Sequence, residues 1–166
     1  MRAVVVGVSV ALSLMLSLLP SAGAAQDRGE GRRPFGPLAG SWSGGGTLTT
    51  SSGTRERLRC RAQYSVGQGG RSLQLGIRCA GDAYRFDLAS TVIARRGRIF
   101  GRWSESSYNV SGTVSGTASG DRIRALARGD SFSAGLALTT RGNRQSVTIT
   151  PQGAAITSVH LSLLRR

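Results

Sequence analysis

The sequence predicts an all-β protein, folded as a small antiparallel up-and-down β-barrel of about 8–10 strands. Short runs in which apolar and polar residues alternate recur along most of the chain, with Gly, Asn, Asp and Ser between them. Helical periodicity is missing after the N-terminal segment. The loops between runs are short, which favours a meander of neighbouring strands, and closure into a barrel removes exposed sheet edges.

Residues 1–25 have the features of a secretory signal peptide. Arg2 supplies the positive charge, residues 4–19 form an almost uninterrupted apolar run, and small residues follow at 22–25. The apolar run is shorter than a spanning helix, so the chain is not expected to be membrane-spanning. We therefore expect an exported protein, periplasmic or extracellular. Residues 26–37 are polar and rich in Gly and Pro, which predicts a flexible lead-in. Residues 38–166 are expected to form a single β-barrel domain.

Ten runs are expected to be strands because each alternates over a length typical of sheet. Turn-forming pairs such as Gly120-Asp121 and Gly142-Asn143 separate several of them. The runs are residues 40–50, 55–66, 71–79, 84–93, 98–104, 110–118, 122–128, 132–140, 145–150 and 154–164.

The second and third runs predict a register and, from it, a disulfide bond. Gly69 and Gly70 lie between the runs and tolerate the positive φ angles of a two-residue hairpin turn. A hairpin closed there aligns the two apolar faces and places Cys60 opposite Cys79. Export to an oxidising compartment permits the bond, which would stabilise the fold by about 3 kcal/mol. The wide spacing and the single His argue against a redox or metal-binding pair.

The segment 111–120 repeats Ser or Thr with Gly at a period of four, which in a strand places Gly112 and Gly116 on one face with Val114 and Ala118. Two interpretations are open. The glycines could admit bulky neighbours such as Trp103 at a bend of the barrel, or they could leave space for a ligand. Close packing is favoured, because glycine in strands usually marks bends or close approach.

The segment Leu38-Ala39-Gly40-Ser41-Trp42-Ser43-Gly44 resembles the Gly-x-Trp first strand of lipocalin-like (calycin) barrels. The resemblance implies that Trp42 faces inward at a closed end of the barrel, with Arg165 or Arg166 lying against it. Residues 55–60 and 141–166 also resemble a group of small uncharacterised exported proteins of Gram-negative bacteria. The expected structural residues are thus Gly40, Trp42, Gly69, Gly70 and Arg165.

The chain has a formal net charge of +14, with 22 basic and 8 acidic residues, and every basic residue is Arg. Such a charge draws a protein to anionic surfaces. Nucleic acid is not expected as a partner, because export removes the chain from most of it and stacking aromatics are few. On the polar face of the hairpin, Arg78 falls opposite Arg61 in the expected register. The face is either plain solvated surface or a candidate anion-binding site formed by Arg57, Arg59, Arg61 and Arg78.

Residue types needed for catalysis are sparse. His160 is the single histidine and lies within a strand run, the acidic residues are scattered, and Gly44-Gly45-Gly46 lacks the Lys-Ser/Thr ending of a phosphate loop. We therefore expect no catalytic residues, no metal and no cofactor, and a protein that is not an enzyme. The expected function is binding, of a small hydrophobic ligand or an anionic envelope component. The alternative, by analogy with other small exported barrels, is inhibition of a protease or lysozyme as the target enzyme.

Overall fold

The computed structural model describes residues 33–166, which form a closed antiparallel barrel. Each strand pairs with its neighbours in sequence, and β1 closes the barrel against β10. The ten strands expected from the sequence are all present, with bounds shifted by two residues at most. They are β1 (Gly40–Thr50), β2 (Arg55–Gly67), β3 (Ser72–Ala80), β4 (Arg85–Arg95), β5 (Arg98–Glu105), β6 (Val110–Ser119), β7 (Arg122–Arg128), β8 (Ser133–Arg141), β9 (Arg144–Gln152) and β10 (Ile156–Arg165).

The hairpin register is confirmed. Val66 pairs with Leu73, and Cys60 pairs with Cys79, to which it is disulfide-bonded. The turn is longer than expected, since the last paired residues are Gly67 and Ser72 and a short 3-10 turn, Gln68–Gly70, lies between the strands. Both glycines have positive φ, and the register is unchanged because the loop grows by one residue on each side.

The expected lead-in differs from the structure where the two overlap. The expected signal peptide, residues 1–25, and residues 26–32 of the expected lead-in lie outside the described residues. Residues 33–37 are not a free tether, because Phe35 is fully buried in the core and its amide donates to the carbonyl of Gly70 at 3.1 Å. A short 3-10 helix, Gly36–Leu38, follows and buries Leu38. The folded part therefore includes Phe35. Its burial was not predicted, because the Pro and Gly residues around it are typical of a flexible segment.

The glycines of β6 are positions of close approach between backbones. A Cβ built on Gly112 would lie 1.8 Å from the carbonyl oxygen of Arg128, and one on Gly116 would lie 2.0 Å from that of Arg124. Gly112 also pairs with Trp103, whose indole N–H donates to the carbonyl of Thr113 at 3.1 Å. The glycines admit the backbone of the neighbouring strand, as the close-packing interpretation predicts.

Candidate functional site

The two ends of the barrel differ. The end at which β1 starts and β10 finishes, called here the plugged end, is covered by the 3-10 helix and by Phe35. The opposite end, called here the aromatic end, is formed by the loops that follow the odd-numbered strands. It carries the aromatic side chains Tyr84, Phe86, Trp103, Tyr108 and Phe132.

Trp42 lies at the plugged end and is 1% exposed. Its indole N–H donates to the carbonyl of Leu38 at 2.7 Å, and its ring meets Tyr64 edge-on at 6.4 Å between centroids. The guanidinium of Arg165 lies 4.4 Å from the Trp42 ring and also donates to the carbonyls of Pro37 and Ala39. Arg165 therefore links the last strand to the plug through a cation–π contact and hydrogen bonds.

A buried polar chain crosses the barrel near Trp42. The hydroxyl of Tyr64 donates to Oε1 of Gln145 at 2.8 Å, and Nε2 of Gln145 donates to the hydroxyl of Thr140 at 3.3 Å. Burial raises the pKa of Tyr64 to about 12, although the hydrogen bond to Gln145 acts in the opposite direction. These two hydrogen bonds join β2, β8 and β9, so they stabilise the closed barrel at this end.

The aromatic end presents partly exposed rings. Tyr84 stacks on Phe86 at 6.5 Å, and Phe86 contacts Tyr108 at 6.0 Å between ring centroids. Tyr108 is 52% exposed. On the other side of this end, Phe132 packs edge-on against Trp103 at 5.6 Å. These rings offer planar apolar surface at this end of the barrel.

Two carboxylates hold the loops of the aromatic end. Glu105 is 6% exposed and accepts backbone N–H groups of Asp87 at 2.6 Å, Ser107 at 3.1 Å and Tyr108 at 2.8 Å. Glu56 accepts the amides of residues 83 and 84 at 2.9 and 3.1 Å. The sequence interpretation missed these roles and counted both residues among scattered acids. The signal at Glu105 was its position on the inward face of β5, where a carboxylate needs partners.

The interior lining is not uniform. Inward-facing side chains of β1, β2 and β10, such as Leu48, Leu58 and Leu163, are almost completely buried. On the other side of the barrel most apolar side chains at inward positions are only half-buried. They are Ile123, Ala125, Ala127, Leu136, Leu138 and Ile149 of β7, β8 and β9.

A broad groove of about 710 Å³ lies on the outer face of β2–β6. Gly76 and Ala89 leave its floor without long side chains, and Arg102 is the charged residue of its lining. Hydroxyl and amide groups provide most of the remaining polar surface, from Gln63, Ser65, Gln74, Thr91, Ser104, Ser111 and Thr113. The sequence interpretation did not identify this groove, because it depends on the curvature of five paired strands.

The candidate anion-binding arginines lie on the outer face of β2 and β3. Arg61 pairs with Arg78 as expected, but Arg78 also pairs with Asp87 of β4, whose carboxylate it contacts at 2.9 Å. The carboxylate of Asp87 thus partly compensates the like charges of Arg61 and Arg78. The register that brings Asp87 there, between β3 and β4, was not predicted from the sequence. Within residues 33–166, Arg57, Arg59 and Arg61 contact no carboxylate at ion-pair distance.

No protein-family model and no curated protein matches the chain. The fold is similar to that of the S-type phycobiliprotein lyase CPES from Guillardia theta, with a TM-score of 0.57 and 11% sequence identity. The match covers 80% of this chain and 90% of the lyase. At this identity the similarity shows the fold, which is lipocalin-like as expected.

The expectation that the chain is not an enzyme is corrected by this similarity. It rested on the lack of a triad, of paired carboxylates and of a phosphate loop. A barrel of the same fold is a lyase. The missing motifs therefore do not argue against catalysis in a barrel of this fold.

Proposed function

We propose that the chain is an exported lipocalin-like barrel that binds a small hydrophobic ligand in its interior and admits it through the aromatic end. The observation that carries the proposal is the half-buried apolar lining of β7–β9 within a closed sheet. Ligand sites are concave and mostly apolar, with a few polar groups that fix orientation. The plug at the other end leaves the aromatic end as the entrance.

Three further features support the proposal. The half-exposed rings of Tyr84, Phe86 and Tyr108 give a planar ligand a first contact surface. Glu56 and Glu105 keep their loops in place through backbone hydrogen bonds. Export is supported by the signal-like residues 1–25, by the resemblance to small exported bacterial proteins, and by the disulfide bond, which oxidising compartments favour.

A matched pair of substitutions tests interior binding. Ala125 faces inward on β7 and is half-buried, whereas Ala137 faces outward on β8 and is exposed. Ala125→Phe should fill the interior and abolish the fluorescence enhancement of the neutral apolar dye N-phenyl-1-naphthylamine. Ala137→Phe should leave dye binding unchanged. Thermal unfolding of both variants, and tests for turnover of any natural ligand, accompany the titration.

The two outcomes separate a hollow barrel from a filled one. In a hollow interior, Ala125→Phe folds with near-parental stability. In a filled core, overpacking would cost about 1–3 kcal/mol and the parent would not bind the dye. If the Ala125→Phe variant still binds the dye, the dye site lies outside the barrel interior. The outer groove on β2–β6 would then be the next site to test.

An anionic envelope component is the second proposed ligand. It is supported by the row Arg57, Arg59 and Arg61 on β2, which forms no ion pair with any carboxylate of residues 33–166. Guanidinium groups bind phosphate and carboxylate in bidentate fashion. Substituting Arg59, Arg61 and Arg78 by Gln should weaken binding to lipopolysaccharide and flatten its salt dependence, with the fold intact. Equal binding by parent and variant at low salt would return these residues to solvated surface.

A further inference from the structure

A row of apolar side chains crosses the outer face of the barrel. Ile93 of β4 pairs with Phe100 of β5, Phe100 pairs with Ser115 of β6, and Ser115 pairs with Leu126 of β7. The row therefore spans three interstrand spacings, about 14 Å. Phe100 is 42% exposed, and Ile93 and Leu126 are half-buried. These side chains face away from the core, so interior packing does not account for them.

Exposed arginines border the row on both sides. Arg95, Arg98 and Arg124 lie one step toward the plugged end, and Arg102 and Arg128 lie one step toward the aromatic end. In the part of the chain that the structure describes, none of the five contacts a carboxylate at ion-pair distance. The five arginines and the three apolar residues are called here the basic–apolar patch.

The hairpin between β4 and β5 concentrates positive charge. Arg95 pairs directly with Arg98, and Arg96 and Gly97 form the turn between them. Like charges placed opposite each other in a sheet destabilise it unless solvent or an anion screens them. The guanidinium of Arg98 also lies 5.7 Å from the Phe100 ring, so charge and apolar surface are in contact.

We propose that the basic–apolar patch docks the barrel on the surface of an anionic phospholipid bilayer. Guanidinium groups match the phosphate oxygens of lipid headgroups, and the apolar side chains enter the boundary between headgroups and acyl chains. Phe100 is the aromatic side chain of the row, whereas single-stranded nucleic acid needs several rings for base stacking. The aliphatic Ile93 and Leu126 suit acyl chains better than bases.

A charge-matched pair of triple variants tests the docking surface. Arg95, Arg98 and Arg124 are changed to Gln in one protein, and the exposed strand residues Arg55, Arg85 and Arg144, which lie outside both arginine groups, in the control. Both lose the same charge from exposed strand faces. Binding of the disulfide-bonded protein to vesicles of phosphatidylcholine with phosphatidylglycerol is measured by co-sedimentation at several salt concentrations. The patch variant should lose about a hundredfold in affinity, and the control variant no more than about threefold.

Insertion is tested by a pair of tryptophan reporters. Phe100→Trp should shift its emission to the blue and become shielded from aqueous quenchers when anionic vesicles are added. Leu164→Trp provides the control, because Leu164 is 50% exposed on β10, on the opposite side of the barrel, and its emission should not change. Vesicles of phosphatidylcholine alone should shift neither.

Several results would overturn the proposal. Equal losses in the two triple variants would show that binding follows net charge and not this patch. Failure of the parent to bind anionic vesicles, with binding to single-stranded DNA or to an acidic protein at the same salt concentration, would assign the patch to that partner. A blue shift at position 164 in place of position 100 would move the contact to the other side of the barrel.

Discussion

The plug residue Trp42 is the position where one substitution should cost the most stability. Trp42→Ala removes a buried indole, and large-to-small changes of this kind cost about 3–5 kcal/mol. The same change leaves the carbonyl of Leu38 without its donor and removes the ring beneath Arg165. Since small domains are stable by about 5–15 kcal/mol, the variant should be close to unfolding at room temperature.

Trp42→Phe keeps the assay informative if the alanine variant does not fold. It retains a ring for Arg165 and Tyr64 but removes the N–H that donates to Leu38. A buried acceptor that loses its partner costs about 1–3 kcal/mol. The expected order of stability is therefore parent, then Trp42→Phe, then Trp42→Ala.

Urea denaturation with the disulfide intact, followed by far-UV circular dichroism, measures both variants. A loss of 4 kcal/mol corresponds to a midpoint shift of about 2 M at an m-value of about 2 kcal/mol/M. Leu164→Ala is the control, because a change at an exposed side chain should stay within about 0.5 kcal/mol. A Trp42→Ala midpoint within 0.5 M of the parent, roughly 1 kcal/mol on the same scale, would refute the assignment of Trp42 as the centre of the plug.

Three further predictions concern other parts of the barrel. Thiol titration of the denatured, unreduced protein should find no reactive thiol, and two free thiols would contradict the pairing. Replacing Cys60 and Cys79 together by Ser should lower the free energy of unfolding by about 3 kcal/mol. Tyr64 has a pKa raised from 10.0 to about 12, so the folded state holds its proton more tightly than the unfolded state does. The free energy of unfolding should therefore not depend on Tyr64 below pH 10, and it should fall by up to about 2.7 kcal/mol as the pH rises from 10 to 12. If a Tyr64→Phe variant loses the same stability at alkaline pH, the loss belongs to another titrating group. Glu105→Ala should destabilise the barrel by about 3 kcal/mol because three backbone amides lose their charged acceptor. Unchanged urea unfolding would show that water replaces the carboxylate.

The sequence predicted the barrel well because its signals were local. Alternation assigned the strands, and glycine at positions that need positive φ marked the turns. The pairing of Cys60 with Cys79 followed from a turn and two alternating faces, all within a single hairpin. Such inferences need only neighbouring strands.

Features that depend on distant parts of the chain were not predicted. Phe35 looked like part of a polar tether, yet it packs beside Gly70 and closes the barrel. Asp87 compensates Arg78 through the register of β3 with β4, which the sequence interpretation did not assign. The basic–apolar patch needs the registers of four strands at once before its residues become neighbours.

Charge is distributed unevenly between the ends of the barrel. Among residues 33–166, Asp121 is the acidic side chain at the plugged end, where Arg141 donates to it and lowers its pKa. The other described carboxylates lie in or near the loops of the aromatic end; they are Glu56, Asp82, Asp87, Glu105 and Asp130. An anionic surface therefore repels the aromatic end and attracts the arginine-rich flank and plugged end.

This polarity predicts that docking and ligand binding are compatible. A barrel held by the basic–apolar patch would keep its aromatic end directed away from the headgroups, so the proposed entrance would stay open. The vesicle-bound protein should then bind the neutral dye, corrected for dye dissolved in lipid, with the affinity of the free protein. The Ala125→Phe variant on the same vesicles supplies that correction. Competition between vesicles and dye for the parent protein would mean that the bilayer covers the entrance, and that the uneven charge does not set the orientation.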